Sequence, residues 1–152
     1  MKSFYTYAEF SKIAEDFIIS SGIRNICLKV CEGRCCRFNS CPHSPHARGI
    51  DHKGCLRHTP NALCSVWVCI DIGDALSKKD SDTIREVFCY AYKRVLNKKP
   101  PVDYLGWYCA DKPFFRLTDM KLNRIKFSRK VVDKLREIKI TRSTLRRIRD
   151  WV

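Results

Sequence analysis

Seven cysteines fall within 39 residues of this chain, and they are the residues whose type and spacing most clearly indicate chemistry. From Cys31 they follow the pattern C-x3-C-C-x4-C-x13-C-x8-C-x4-C, and Cys27 lies just upstream. Thiolates are soft ligands that suit zinc and iron–sulfur clusters. A loop-rich segment wrapped around such a centre gains folding free energy from its bonds to the metal. The cysteine segment therefore predicts a metal site.

The spacing of the thiols favours an iron–sulfur cluster, expected to be of the 4Fe-4S type, over zinc. Zinc sites commonly use two cysteines separated by two residues, and the sequence contains no such pair. Iron–sulfur clusters need four cysteines that the fold brings together, so irregular spacing is compatible with them. Zinc stays an alternative through the mixed pairs Cys55-x2-His58, His52-x2-Cys55 and His43-x2-His46. A third alternative is no metal, with disulfides or buried thiols instead.

The same motifs resemble a known family. Cys31-Glu-Gly33-Arg-Cys35-Cys36 is followed by Gly54-Cys55-Leu56 and by Leu63-Cys64-Ser-Val-Trp-Val-Cys69. Over about residues 27–70 this is similar to the zinc- or iron-chelating cysteine-cluster domains, which are small bacterial and archaeal proteins or modules. Three residues, rather than the family's common two, separate the first cysteine from the Cys-Cys pair, and Ala62-Leu63 stands where the family has Arg-Pro. The resemblance implies a bound iron–sulfur cluster or zinc and no particular reaction. The matching positions are Cys31, Cys35, Cys36, Cys55, Cys64 and Cys69.

The C-terminal fifth of the chain is strongly basic. The whole sequence has 30 Lys+Arg and 16 Asp+Glu, a formal charge of +14, and residues 121–152 contribute 12 basic and 3 acidic residues, or +9. Ser128 is expected to cap a helix through about Lys139, and Thr141 or Ser143 to cap a second through Trp151. The pair resembles a helix-turn-helix, although Lys139 stands where the turn usually has glycine. Its expected packing positions are Ile138, Ile140, Leu145 and Ile148.

Such a second helix, placed in a major groove, can use arginine for phosphates and for guanine edges. The net charge of the segment favours any polyanion through counterion release. The alternatives are a merely solvated cationic face, an acidic protein partner or an anionic membrane surface. We expect contacts with DNA or RNA at Lys130, Arg142, Ser143, Thr144, Arg146, Arg147 and Arg149.

Two amphipathic helices are predicted to carry the apolar core. One covers residues 6–20, and the other runs from Asp80 or Ser81 to about Asn97. Their apolar stripes contain Phe10, Ile13, Ala14, Phe17 and Ile18 in the first and Ile84, Val87, Phe88, Ala91 and Val95 in the second. Cys89 and Cys109 are expected to be core residues.

The predicted fold class is mainly α: a small, irregular, cysteine-rich metal-binding domain with packed helices and a C-terminal helical hairpin. A hydrophobic fraction of 45% is sufficient for one compact core. The predicted units are residues 1–97 with the cysteine cluster and its flanking helices, an aromatic connector at 98–127 packed on them, and the basic helices at 128–152.

Several classes of function lack a recognisable sequence pattern. The chain contains no G-x-S-x-G, P-loop, dinucleotide fingerprint or H-E-x-x-H motif, so enzymatic activity of its own is not expected. No apolar stretch approaches the roughly 20 residues of a membrane span, and no secretory signal is evident, which predicts a cytoplasmic protein with reduced thiols. Two hypotheses remain: a metal-cluster protein that binds nucleic acid, or an accessory protein that docks a metal-cluster module onto a larger assembly.

Overall fold

The computed structural model describes residues 2–30, 62–66, 68, 70–97 and 119–151, and these residues are mainly helical, as predicted. The N-terminal elements are strand β1 (Phe4–Thr6) and helices α1 (Tyr7–Ser20) and α2 (Ile23–Lys29). The central helices are α3 (Ala62–Ser65), α4 (Ile70–Ala75) and α5 (Lys78–Leu96). The C-terminal elements are α6 (Asp119–Leu122), strand β2 (Lys126–Ser128), α7 (Arg129–Val132), a 3-10 helix (Asp133–Glu137) and α8 (Arg142–Trp151).

Helix α1 begins with a capping box. Thr6 Oγ1 accepts a hydrogen bond from the Glu9 backbone N–H, and the Glu9 carboxylate accepts one from the Thr6 backbone N–H. Two of the donors that a helix start leaves without partners are thereby satisfied. The predicted apolar stripe is confirmed, because Phe10, Ala14, Phe17 and Ile18 are buried and Ile13 packs partly against the core.

Helix α5 confirms the second predicted helix, and it begins slightly earlier than expected. The cap is Ser77, whose Oγ accepts from the Asp80 backbone N–H, rather than Asp80 or Ser81. Asn97 ends the helix with a left-handed φ of 53°, a conformation that Asn adopts more readily than most residues. All five residues of the predicted stripe are buried: Ile84, Val87, Phe88, Ala91 and Val95.

A two-stranded antiparallel sheet, which the sequence analysis did not predict, joins the two ends of the chain. Tyr5 of β1 lies opposite Phe127 of β2, and the Phe127 ring stacks on Phe10 of α1 with 4.5 Å between centroids. The Tyr5 hydroxyl donates to Asp133 Oδ1 at 2.6 Å. These contacts lock the segment that leads to α8 onto the N-terminal helix.

The basic C-terminus differs from the predicted hairpin in two respects. The first helix is a single α-turn that tightens into the 3-10 helix and ends at Glu137, and Ser128 belongs to β2 and makes no side-chain cap. The chain is extended at Ile138, and among the described elements α8 packs chiefly against α4 rather than returning onto the preceding helix. The predicted packing positions are nonetheless occupied: Ile148 is buried, and Ile138, Ile140 and Leu145 are half-buried.

One hydrophobic cluster contains side chains from both ends of the described chain. Ile23 of α2, Leu63 of α3, Ile72 of α4, Phe88 of α5 and Ile148 of α8 are all fully buried members of it. Because β2 straddles the predicted boundary at residue 128 and α8 contributes to the same core, the basic helices pack as part of one described body. None of the described helices is long and apolar enough to cross a membrane.

Candidate nucleic-acid interface

Two apolar side chains fix the orientation of α8. Ile148 is fully buried, and Leu145 packs against the turn between α1 and α2, where a Cβ added to Gly22 would lie 3.0 Å from Leu145 Cδ1. Residues three apart on a helix lie on one side, so this pair defines the face of α8 that meets the core. The side of α8 away from this pair faces solvent.

Three arginines form a row on α8 beside that buried face. Arg142, Arg146 and Arg149 follow i, i+4, i+7 spacing, which places them within a strip about 60° wide on an α-helix. All three are exposed, and none of their side chains has a hydrogen bond, ion pair or ring contact within the described part of the chain. We call Arg142, Arg146 and Arg149 the arginine row. It offers three guanidinium groups whose donors are free for an external acceptor.

Arg147 belongs to the same helix but has an internal partner. Its Nε and Nη2 both donate to the backbone carbonyl of Ala75, at 3.0 and 2.7 Å. Ala75 is the last residue of α4, and carbonyls at a helix end have no partner within the helix. Arg147 therefore caps α4 and holds α8 against it. Sequence reasoning grouped it with the other arginines because nothing local marks a partner 72 residues away.

The predicted hydroxyl contacts lie at the start of α8 and bond to each other. Thr141 Oγ1 accepts from the Thr144 backbone N–H at 3.2 Å, which confirms Thr141 as a cap. The same oxygen lies 2.9 Å from Ser143 Oγ and 3.0 Å from Thr144 Oγ1. Ser143 is exposed and Thr144 is half-buried. These hydroxyls define the first turn of α8, next to Arg142.

Among the other cations of the basic segment, some have an internal partner and some have none within the described structure. Arg129 donates to the Lys2 carbonyl and lies over the Tyr5 ring, Lys134 pairs with Glu86 at 2.6 Å, and Arg136 pairs with Asp133. The predicted contact Lys130, on α7, is exposed and has no such partner within the described residues.

The predicted metal ligands lie mostly outside the described residues. Cys64 is in α3, in a stretch where its neighbours Leu63 and Ser65 are buried. Among the described residues no group of three His, Cys, Asp or Glu side chains could hold a metal ion. The predicted ligands that lie outside the described residues are Cys31, Cys35, Cys36, Cys55 and Cys69.

Cys89, predicted to be a core residue, is half-buried on α5 and packs against the hydrophobic cluster. Burial raises the pKa of its thiol, and the nearby Arg85 offsets part of that increase. A thiol with a raised pKa is a poorer nucleophile and a poorer metal ligand at neutral pH than an ordinary cysteine. Cys89 therefore fits the predicted role of a core residue.

Comparisons of the chain with protein-family models, with curated proteins and with solved structures return no match. The resemblance of residues 27–70 to the cysteine-cluster domains stays a prediction.

Proposed function

We propose that this protein is a metal-cluster protein that binds nucleic acid through its basic C-terminal helices, with the arginine row as the principal contact. The observation that carries the proposal is the row itself: three exposed guanidinium groups on one strip of α8, without partners in the described structure. A guanidinium group presents several donors in a rigid fork that matches phosphate oxygens. Lys130 on α7 adds a further phosphate contact.

The electrostatics of the segment support a polyanionic ligand. Asp150 is the only carboxylate in α8, against four arginines. Each cation that neutralises a phosphate releases a condensed counterion, so the affinity should fall steeply as salt concentration rises. Because Arg147 has an internal partner and the row does not, the two kinds of arginine should have separable roles.

A comparison of Arg146→Ala with Arg147→Ala tests the proposal. Both variants remove one arginine from α8, so the net charge and the composition change equally. We expect Arg146→Ala to flatten the slope of log K against log salt by about one contact, because it removes a phosphate partner. Arg147→Ala should largely keep that slope and lower the free energy of unfolding by about 1 kcal/mol, because the Ala75 carbonyl loses its donors. Fluorescence anisotropy with labelled duplex DNA and RNA at several salt concentrations, together with urea unfolding, measures both quantities.

An unchanged slope in Arg146→Ala, with the protein folded, would contradict the assignment of the row. Equal slopes for both variants would mean that only the total charge matters. A folded wild-type protein that retains neither DNA nor RNA at low salt would overturn the binding proposal.

The metal half of the proposal rests on the sequence pattern of thiols. An iron–sulfur cluster is favoured over zinc, and the proposed ligands come from the six motif cysteines. When bound, the metal would stabilise the fold of the cysteine segment or respond to redox conditions. The cytoplasmic location assumed for reduced thiols belongs to the same proposal.

A further inference from the structure

The chain passes from the 3-10 helix to α8 beside a groove, and its backbone is extended at Ile138. Ile138 has φ −78° and ψ 122°, which are extended values. The groove has a volume of about 330 Å³ and separates this segment from the C-terminal end of α1. Phe17 of α1 and Leu135 are buried beneath it, and Ile138 and Ile140 are half-buried along one side.

The backbone of Ile138–Ile140 makes few hydrogen bonds to the other described residues. The Ile138 N–H donates weakly to the Leu135 carbonyl at 3.4 Å, whereas Lys139 and Ile140 make no hydrogen bond within the described part of the chain. Extended backbone with unpaired N–H and C=O groups can pair with a strand from another chain. In such pairing, main-chain hydrogen bonds supply affinity and adjacent grooves receive alternate side chains.

The charged side chains among the described residues that line the groove are basic. The side chain of Arg136 is 58% exposed even though it pairs with Asp133, and Lys139 is exposed without a partner in the described structure. None of the described residues that line the groove carries a carboxylate. Ile19, at the same end of α1, is 56% exposed. An occupant with both carboxylates and apolar side chains would match this surface.

A peptide fits these features better than a nucleotide base does. Sequence-independent binding of single-stranded nucleic acid depends on exposed aromatic faces on which bases stack. Among the described residues that line the groove, Phe17 alone is aromatic, and it is 7% exposed. Aliphatic side chains and free backbone groups are instead the features of strand addition.

We propose that an extended acidic segment of a partner protein adds as a short strand along Ile138–Ile140. One of its apolar side chains occupies the groove, and its carboxylates lie near Arg136 and Lys139. This site is distinct from the arginine row, and the proposal does not depend on nucleic-acid binding.

Titration of the full-length ¹⁵N-labelled protein with a short, terminally blocked peptide that alternates Glu and Val tests the backbone pairing. We expect chemical-shift changes and slowed hydrogen exchange at the Lys139 and Ile140 amides. The same peptide with N-methyl groups on alternate residues should bind about fivefold more weakly or worse, because its lost donors pair with this segment. Equal binding by the methylated peptide would overturn the proposal. So would an oligothymidylate that shifts these amides when the Glu–Val peptide does not.

A charge-reversal pair separates the groove from general attraction to a basic protein. Lys139→Glu and Lys93→Glu change the net charge equally, and Lys93 is an exposed residue near the end of α5, away from the groove lining. We expect Lys139→Glu to weaken peptide binding by about tenfold and Lys93→Glu to leave it nearly unchanged. Equal losses in the two variants, both checked for cooperative melting, would contradict the site.

Discussion

At the scale of single residues, Gly22 is a position whose backbone conformation favours glycine. Its φ of 83° lies in the left-handed region, and an added Cβ would lie 3.0 Å from Leu145 Cδ1. Gly22→Ala should therefore destabilise the protein by about 1–2 kcal/mol, through backbone strain and through displacement of the side chain that positions α8. Urea unfolding of the two proteins measures this difference.

The Leu145→Ala background separates the two causes. Removing the Leu145 side chain removes the close contact but leaves the backbone strain, so the cost of Gly22→Ala should fall there without disappearing. If Gly22→Ala alone has the same free energy of unfolding as the wild type, the turn accommodates the added Cβ without strain. That result would contradict the tight packing of α8 on this turn.

At the scale of elements, the start of α1 gives stability a pH dependence. The hydrogen bond from the Thr6 backbone N–H to the carboxylate lowers the pKa of Glu9 below its usual value of 4.5. A pKa that is lower in the folded state means that the stabilisation is present above the usual carboxyl value and is lost as pH falls through the lowered one. Glu9→Gln should therefore lose less stability than wild type between about pH 6 and pH 3.

Thr6→Ala is the control for this prediction. Its backbone N–H still donates to Glu9, so most of the pH dependence should persist. The lost hydroxyl cap should lower the free energy of unfolding by about 1 kcal/mol at both pH values. Identical pH profiles for wild type and Glu9→Gln in thermal melts would contradict the contribution of this capping box.

The same elements show what the sequence could predict. The long helices α1 and α5 were predictable because their apolar residues repeat at helical spacing and their buried faces follow that repeat. Strands β1 and β2 were not, because each has three residues and their paired residues are 120 to 124 positions apart in the sequence. The predicted first basic helix is too long, because Ile138 matches a helical stripe and also fits an extended backbone from which its side chain packs partly against the core.

The sequence predicts which residues make up the candidate site, but not which of them face solvent and which have an internal partner. The concentration of arginines on α8 follows from the sequence, whereas the separate role of Arg147 depends on the Ala75 carbonyl at the end of α4. The groove beside Ile138–Ile140 was likewise unpredictable, because it exists only once the end of α1 lies next to that segment.

At the scale of the whole molecule, we expect the described core to supply stability independently of the proposed metal site. The hydrophobic cluster of the described residues combines side chains from α1, α2, α3, α4, α5, β2 and α8. Proteins such as zinc fingers unfold without their metal because they lack such a core. Here the apolar burial of the described helices should suffice to keep them folded.

If the proposed iron–sulfur cluster is present, protein purified without oxygen should contain iron and acid-labile sulfide and show broad visible absorbance. Removing the metal with a chelator should abolish that absorbance, while the helical circular dichroism and a single cooperative melt persist, because the described helices bury their apolar faces against one another. Cys36→Ser should lower the iron content, and Cys89→Ser, which changes a half-buried thiol on α5, should not. Colourless protein with stoichiometric zinc would replace the cluster by the zinc alternative. Helices that are stabilised by packing of their own apolar faces should not need the metal. Complete loss of the helical signal on metal removal would therefore show that the cysteine segment supports the core.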